Sequence, residues 1–306
     1  MFKSKKLLGL SLGFIATISW ASFYVVSRFA FGGYEDRIDP VFFSFLRFLF
    51  AGVFFMFIIL FTGQRKKLSV AVKKDWKLLS LLALTGIVGE GVLVFWSLKY
   101  TTAARSSLFA NTSPIFTIII AVFAANEILN KRKCLGMLIG FAGAAFAILG
   151  NGSSDSYMTD SSVVGDLLAL GSGVCWAAYT VWGARAAMRY GSLISTGAAI
   201  ILGTAMLFFI VIFTNRPMLW DFPLNLWLAI IYLGVFANGI AYICWYAALK
   251  YLSPGELGAF GYISAAATII LSCIFLNEKI GLVFILSLSA IFVGVYLMMN
   301  EEKKSE

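Results

Sequence analysis

An all-α integral membrane protein of ten transmembrane helices, arranged as two five-helix repeats of opposite topology, is the fold class the sequence predicts. Three observations lead there. The 306 residues are 60% hydrophobic and only 13% charged, with a mean hydropathy of +0.90, which is too apolar for one water-soluble core. The apolar residues gather into runs of about 20, the length a helix needs to cross a bilayer core about 30 Å thick. A shift of 151 residues also lays the second half of the chain on the first.

In chain order the predicted spans are Leu7 to Phe31, Pro40 to Phe61, Leu78 to Lys99, Ser106 to Ala125 and Cys134 to Gly150, then Gly165 to Ala187, Leu193 to Phe213, Leu226 to Leu249, Pro254 to Leu276 and Ile280 to Asn300. The first begins like a secretory signal, with Lys3, Lys5 and Lys6 ahead of an apolar run and small residues near Ser19 to Ser22. That run continues through FYVVSRFAF and has a counterpart in the second half, so it reads as an uncleaved first helix. The third carries an acidic residue, Glu90, near its middle. The fifth carries Gly136, Gly140 and Gly143, a small-xxx-small pattern that brings helices close, either within one chain or as the face of a homodimer.

The net charge of +9 does not indicate nucleic acid, because the basic residues lie in short loops between apolar runs. With the N-terminus inside, the cytoplasmic loops collect Arg65, Lys66, Lys67, Lys73, Lys74, Lys77, Lys131, Arg132, Lys133, Arg185, Arg189, Lys250, Lys303 and Lys304, while the outer loops keep Arg37, Lys99, Arg216 and Lys279. This is the positive-inside asymmetry. It predicts a multi-pass protein of a bacterial cytoplasmic (inner) membrane with both termini in the cytoplasm.

The repeat runs without a gap. Leu98, Lys99 and Tyr100 meet Leu249, Lys250 and Tyr251; Phe109 meets Phe260, Ser113 meets Ser264, and Asn126 and Glu127 meet Asn277 and Glu278. At a slightly different offset, SWASFYV (Ser19 to Val25) resembles CWAAYTV (Cys175 to Val181). The units are residues 1–150 and 151–306. Five helices per unit is an odd number, so the second unit enters the membrane upside down relative to the first, and the two Asn-Glu pairs face opposite sides. Inverted repeats of this kind place a substrate site at their interface near the midplane.

Ten helices in a 5+5 inverted repeat, a Trp in each opening helix, and a fourth helix of each half ending in Asn-Glu (Glu127, Glu278) resemble the EamA-type members of the drug/metabolite transporter superfamily over Leu7 to Asn300. The resemblance implies a carrier of small metabolites working by alternating access, often an exporter of amino acids or related compounds, with the lipid bilayer and a small-molecule substrate as its partners.

Several chemistries are excluded. The chain has no histidine, which disfavours a zinc site or a Ser-His pair, and it has no phosphate-binding GxxxxGK[ST] loop. Cys134, Cys175, Cys244 and Cys273 fall within predicted helices without metal-ligand spacing. No metal, cofactor or catalytic residue is expected.

The candidate site residues are those whose polarity is costly or whose aromatic bulk is useful at membrane depth. Glu90 lies where a carboxylate costs on the order of 2.5 to 3.5 kcal/mol to insert, so it pairs, protonates or lines a wet cavity; it is the candidate coupling site. Arg47 sits about 10 Å below Pro40 at 1.5 Å per residue, placed to pair with Glu90 or to hold a substrate carboxylate. Asn111 and Asn238 are amides that need partners. Trp20, Tyr24, Trp96, Trp176, Tyr179, Tyr242 and Tyr262 complete the set, although aromatic residues also fill interfacial belts and ordinary helix contacts. The expected cargo is an amino acid or a similar amphipathic compound. The alternatives are a proton-coupled carrier of an organic cation, neutralised by Glu90 among Trp and Tyr faces, and a membrane-embedded lipid enzyme, against which the lack of His and of a clustered carboxylate set argues.

Overall fold

A computed structural model describes residues 2–31, 39–100, 106, 109–125, 130–149, 162–276 and 282–299. The Asn-Glu pairs at 126–127 and 277–278 lie outside these residues, and so does the side chain of Tyr24. Among the described residues every regular element is helical: α1 (Phe2–Phe31), α2 (Pro40–Phe61), α3 (Arg65–Ala83), a π-helical segment (Leu84–Gly89), α4 (Glu90–Tyr100), α5 (Ser113–Ala125), α6 (Lys131–Leu149), α7 (Ser162–Tyr190), α8 (Ser192–Phe213), α9 (Leu224–Tyr232), a second π-helical segment (Leu233–Ile240), α10 (Ala241–Ala248), α11 (Pro254–Gly258), α12 (Phe260–Leu276) and α13 (Leu282–Met299).

Helices dominate because hydrocarbon cannot hydrogen-bond a peptide group, so each segment must satisfy its own backbone. Six stretches are long and apolar enough to cross a membrane: Lys5–Phe23, Pro40–Phe61, Arg65–Ser97, Val163–Tyr190, Ser192–Phe213 and Leu224–Ala248. Ser113–Ala124 and Ser289–Met298 are apolar but shorter. The outward surface is what lipid contact demands: Phe61 and Phe123 are each 84% exposed and Phe213 is 79% exposed.

Helix ends carry their own causes. The Asp39 carboxylate accepts from the backbone N–H groups of Val41 and Phe42, and Pro40 follows it at the first helical position, where its missing N–H removes no intrahelical bond. Gly191, at φ +84°, turns the chain between α7 and α8 through a conformation that costs a side chain dearly. Several helices outrun the predicted spans: α3 begins at Arg65 and α7 reaches Tyr190. Apolar runs measure membrane depth, whereas a helix carries on through charged residues in water.

The larger departure is internal. The third span of each half, expected as an uninterrupted helix, is broken by a π-helical segment, Leu84–Gly89 in one and Leu233–Ile240 in the other. Shifted by 151 residues, the first of these falls inside the second.

The halves interlock: α1 packs on α10 and α12, α2 on α8, α4 and α5 on α7, and α6 on α13. The glycine pattern of α6 is used within the chain. A Cβ on Gly294 of α13 would stand 2.6 Å from the Gly136 carbonyl oxygen and 2.6 Å from the Gly140 nitrogen, so these backbones touch as small-residue stripes allow. Three described ion pairs each join one half to the other: Lys6 with Glu256 at 2.8 Å, Arg189 with Asp75, and Arg216 with Asp39 at 3.5 Å. Glu256 also closes a capping box with Ser253 at the start of α11.

Candidate functional site

The two π-helical segments meet across the centre of the bundle. A π turn bonds i to i+5, and such turns recur at functional sites. In the first segment the Gly86 carbonyl accepts from Tyr242 Oη at 3.3 Å, and in the second the Ala237 carbonyl accepts from Trp20 Nε1 at 2.9 Å. Gly86 has to be glycine here, because a Cβ would fall 2.1 Å from the Tyr179 ring.

Between them lies a cavity of about 100 Å³, lined chiefly by Trp20, Phe23, Arg47, Glu90, Asn111, Trp176, Asn238, Tyr242 and Trp245, with Ser113, Ser172 and Ser264 adding hydroxyls. One water needs roughly 10–15 Å³ on such a measure, so the space holds several waters or a small solute. Asn238, Tyr242 and Trp245 stand at i, i+4 and i+7, one stripe on one helix face. Trp20 and Trp176 meet edge to face with centroids 4.9 Å apart, and Tyr242 stands 5.9 and 5.4 Å from them.

Charge enters from two helices. Arg47 on α2 is only 4% exposed, and its guanidinium carbon lies 4.8 to 5.1 Å from the ring centres of Phe48, Phe23 and Phe95. Cation–π attraction strengthens when desolvated and offsets part of the cost of burying that charge. Its Nη2 would be 3.5 Å from a Cβ placed on Gly91, so the guanidinium reaches the residue next to Glu90. Asn238, 2% exposed, has its amide nitrogen buried without a hydrogen-bond partner among the described residues. A buried donor left unmade costs about 1–3 kcal/mol, which a bound solute would recover.

Of the residues singled out from sequence, Trp20, Arg47, Glu90, Asn111, Trp176, Asn238 and Tyr242 come together in this cavity. Tyr179 stands behind it, its ring 5.3 Å from Trp176 and 4.9 Å from Tyr246. Tyr262 is fully buried elsewhere, donating to the Met137 carbonyl at 3.1 Å. Trp96 lies beneath the Arg216 guanidinium at 5.4 Å. Sequence reasoning passed over Trp245, although it shares a helix face with Asn238 and Tyr242, and the serines 113 and 264, although they match in the repeat.

The lining itself comes in pairs 151 residues apart: Ala110 with Gly261, Ser113 with Ser264, and Val94 with Trp245. Long apolar helices closed around a small mixed-polarity cavity belong to the class of multi-pass membrane transporters. The family comparison makes this specific. The sequence model of the EamA-like transporter family matches residues 7–149 and again 163–300, and the chain belongs to that family.

Its relatives agree. An uncharacterized transporter of Archaeoglobus fulgidus is 28% identical over 92% of this chain and 94% of its own, and the uncharacterized transporter YyaM of Bacillus subtilis is 29% identical over 74% and 73%. A solved crystal structure superposes with a TM-score of 0.79 over 96% of both chains at 22% identity, a shared fold. The protein is thus a membrane transporter rather than an enzyme.

Proposed function

We propose that this transporter is a secondary carrier of a small amphipathic metabolite, an amino acid or related compound, exported across the cytoplasmic membrane by alternating access. The observation that carries this reading is a cavity in which a guanidinium, a carboxyl and an unpartnered amide face aromatic walls. Arg47 takes the substrate carboxylate, Glu90 its ammonium, and Asn111 and Asn238 its remaining donors and acceptors. Trp20, Trp176 and Tyr242 hold the apolar part, and Glu90 couples movement to a proton. Arg47 in the same cavity speaks against a purely cationic cargo.

The ten-helix inverted repeat is part of the reading. Its support is the twofold match to the family, the paired lining residues and the matched π-helical segments. Two copies inserted in opposite senses let one packing, read from either end, open to either side. Loop charge supports cytoplasmic termini.

The test is counterflow in proteoliposomes. Vesicles loaded with an unlabelled amino acid should accumulate the labelled one, recovered chemically unchanged. Absence of counterflow across a panel of acidic, basic, aliphatic and aromatic amino acids would reject the amino-acid reading.

A further inference from the structure

The three lining pairs separated by 151 residues differ in one respect. Ala110 with Gly261 and Ser113 with Ser264 are small residues on both sides, whereas Val94 is matched by Trp245. A symmetric pair of helices therefore surrounds an asymmetric space, with an indole on one side where an isopropyl stands on the other. The indole is held in place. It is 1% exposed, its Nε1 donates to Thr180 Oγ1 at 3.1 Å, and its ring lies 4.9 Å from Trp20 and 5.6 Å from Trp176. Val94, 3% exposed, shares its side of the cavity with Phe23, Arg47 and Glu90.

We infer that Trp245 is a specificity-determining residue that sets the size limit for the apolar part of the cargo, and that this part is admitted on the Val94 side. The inference rests on the reading of this cavity as the cargo site. A ring wedged among two other indoles and tied by its N–H cannot swing aside as a flexible side chain would, because interiors are close-packed and rotamers are few. Trp245 thus removes volume permanently from one half of the cavity. The cargo's charged groups then lie near Arg47 and Glu90, and its side chain has only the space beside Val94.

The experiment measures size exclusion first and transport second. In a full-length background with the four native cysteines replaced by Ala, Ser264→Cys is exposed to methyl and benzyl methanethiosulfonate, and the modification rate is read by intact mass. Trp245→Val should raise the benzyl rate about tenfold, the discrimination expected from a few methylenes of pocket, while leaving the methyl rate nearly unchanged. Trp245→Phe, which keeps a ring, should raise it much less, and Val94→Trp should lower it. In vesicles Trp245→Val should shift the ratio of phenylalanine to alanine counterflow upward. Equal benzyl rates in the parent and Trp245→Val overturn the inference whatever transport shows. If Trp245→Val fails to fold, a Val94→Trp variant that admits the benzyl reagent as fast as the parent overturns it instead. A size effect on labelling, with no counterflow of either amino acid by the parent, upholds the size limit and rejects the amino-acid reading.

Discussion

Trp20 on the first helix donates its indole N–H to the carbonyl of Ala237 at 2.9 Å, tying the opening helix of one half to the π-helical segment of the other. The residue 151 positions before Ala237 is Gly86, whose carbonyl accepts from Tyr242 at 3.3 Å. Equivalent carbonyls on the two broken helices therefore receive aromatic donors, but from different helices, so the halves are alike in backbone and unlike in side chain. Trp20→Phe keeps a ring and removes the donor. It should cost about 1–3 kcal/mol, the penalty for a buried acceptor left unmet, and Tyr242→Phe, losing a longer bond, should cost less. Thermal unfolding in detergent checks the order of the two.

Asn238 predicts a split between folding and function. Its amide nitrogen has no partner to lose among the described residues, so Asn238→Ala should leave the melting temperature level or raise it slightly while lowering counterflow. A large fall in melting temperature with intact counterflow would assign the amide to packing.

Glu90 predicts a split between two transport assays. Glu90→Gln keeps shape and most hydrogen bonding but deletes the charge, so it should abolish the response of uptake to an imposed pH gradient. Substrate-for-substrate exchange, which needs no net proton movement, should survive. A Gln variant that responds fully to the gradient removes Glu90 from coupling.

The contact of α6 with α13 predicts where glycine is obligatory. Gly294→Ala sets a methyl 2.6 Å from backbone atoms of Gly136 and Gly140, which cannot yield as a side chain end can. It should cost at least the 1–3 kcal/mol of ordinary overpacking and reduce folded yield. At Gly52 the nearest atom to an added Cβ is Thr204 Oγ1, at 3.6 Å, so Gly52→Ala should be silent. Yield by fluorescence-detected gel filtration separates them.

Asp75 carries the pH prediction. It lies ahead of the apolar run that starts at Leu78, and hydrogen bonds from Tyr190 and then Arg189 hold its carboxyl below the ordinary 3.8. A carboxylate with a depressed folded-state pKa stabilises the fold fully above its unfolded value, and that contribution disappears as pH falls through the folded one. The melting-temperature difference between parent and Asp75→Asn should thus be constant from pH 5 to 8 and shrink only below about 3.8. Because the pair is solvent-exposed, the difference should be small and salt-sensitive. A difference that changes across neutral pH would implicate another group.

Much of this was legible in the residues themselves. Apolar run length announced the helices, and the costly positions of Glu90, Arg47 and Asn238 pointed toward one place because polar groups at membrane depth have few tolerable surroundings. What stayed hidden was geometry without a compositional signature. LTGIVG and LGVFANGI read as ordinary apolar helix, since a π turn is a matter of hydrogen-bond partner and not of hydropathy. Trp245 read as one more packing aromatic, because periodicity marks a face but not what the face looks upon. Tyr262, matched to Asn111 in the repeat, shows the converse: equivalent positions need not face the same space once their neighbours differ.

The π-helical segments also fix where everything beyond them points. A π turn holds one residue more than an α turn, and one residue is about 100° of rotation at 3.6 residues per turn. Glu90 and Val94 come after the first wide turn, and Tyr242 and Trp245 after the second. Each half thus aims its inner stripe by a single surplus residue, like a ratchet set one tooth forward. Remove that residue from Leu84–Gly89 and the downstream helix would present its carboxyl toward hydrocarbon, with hardly any change in composition to betray the loss.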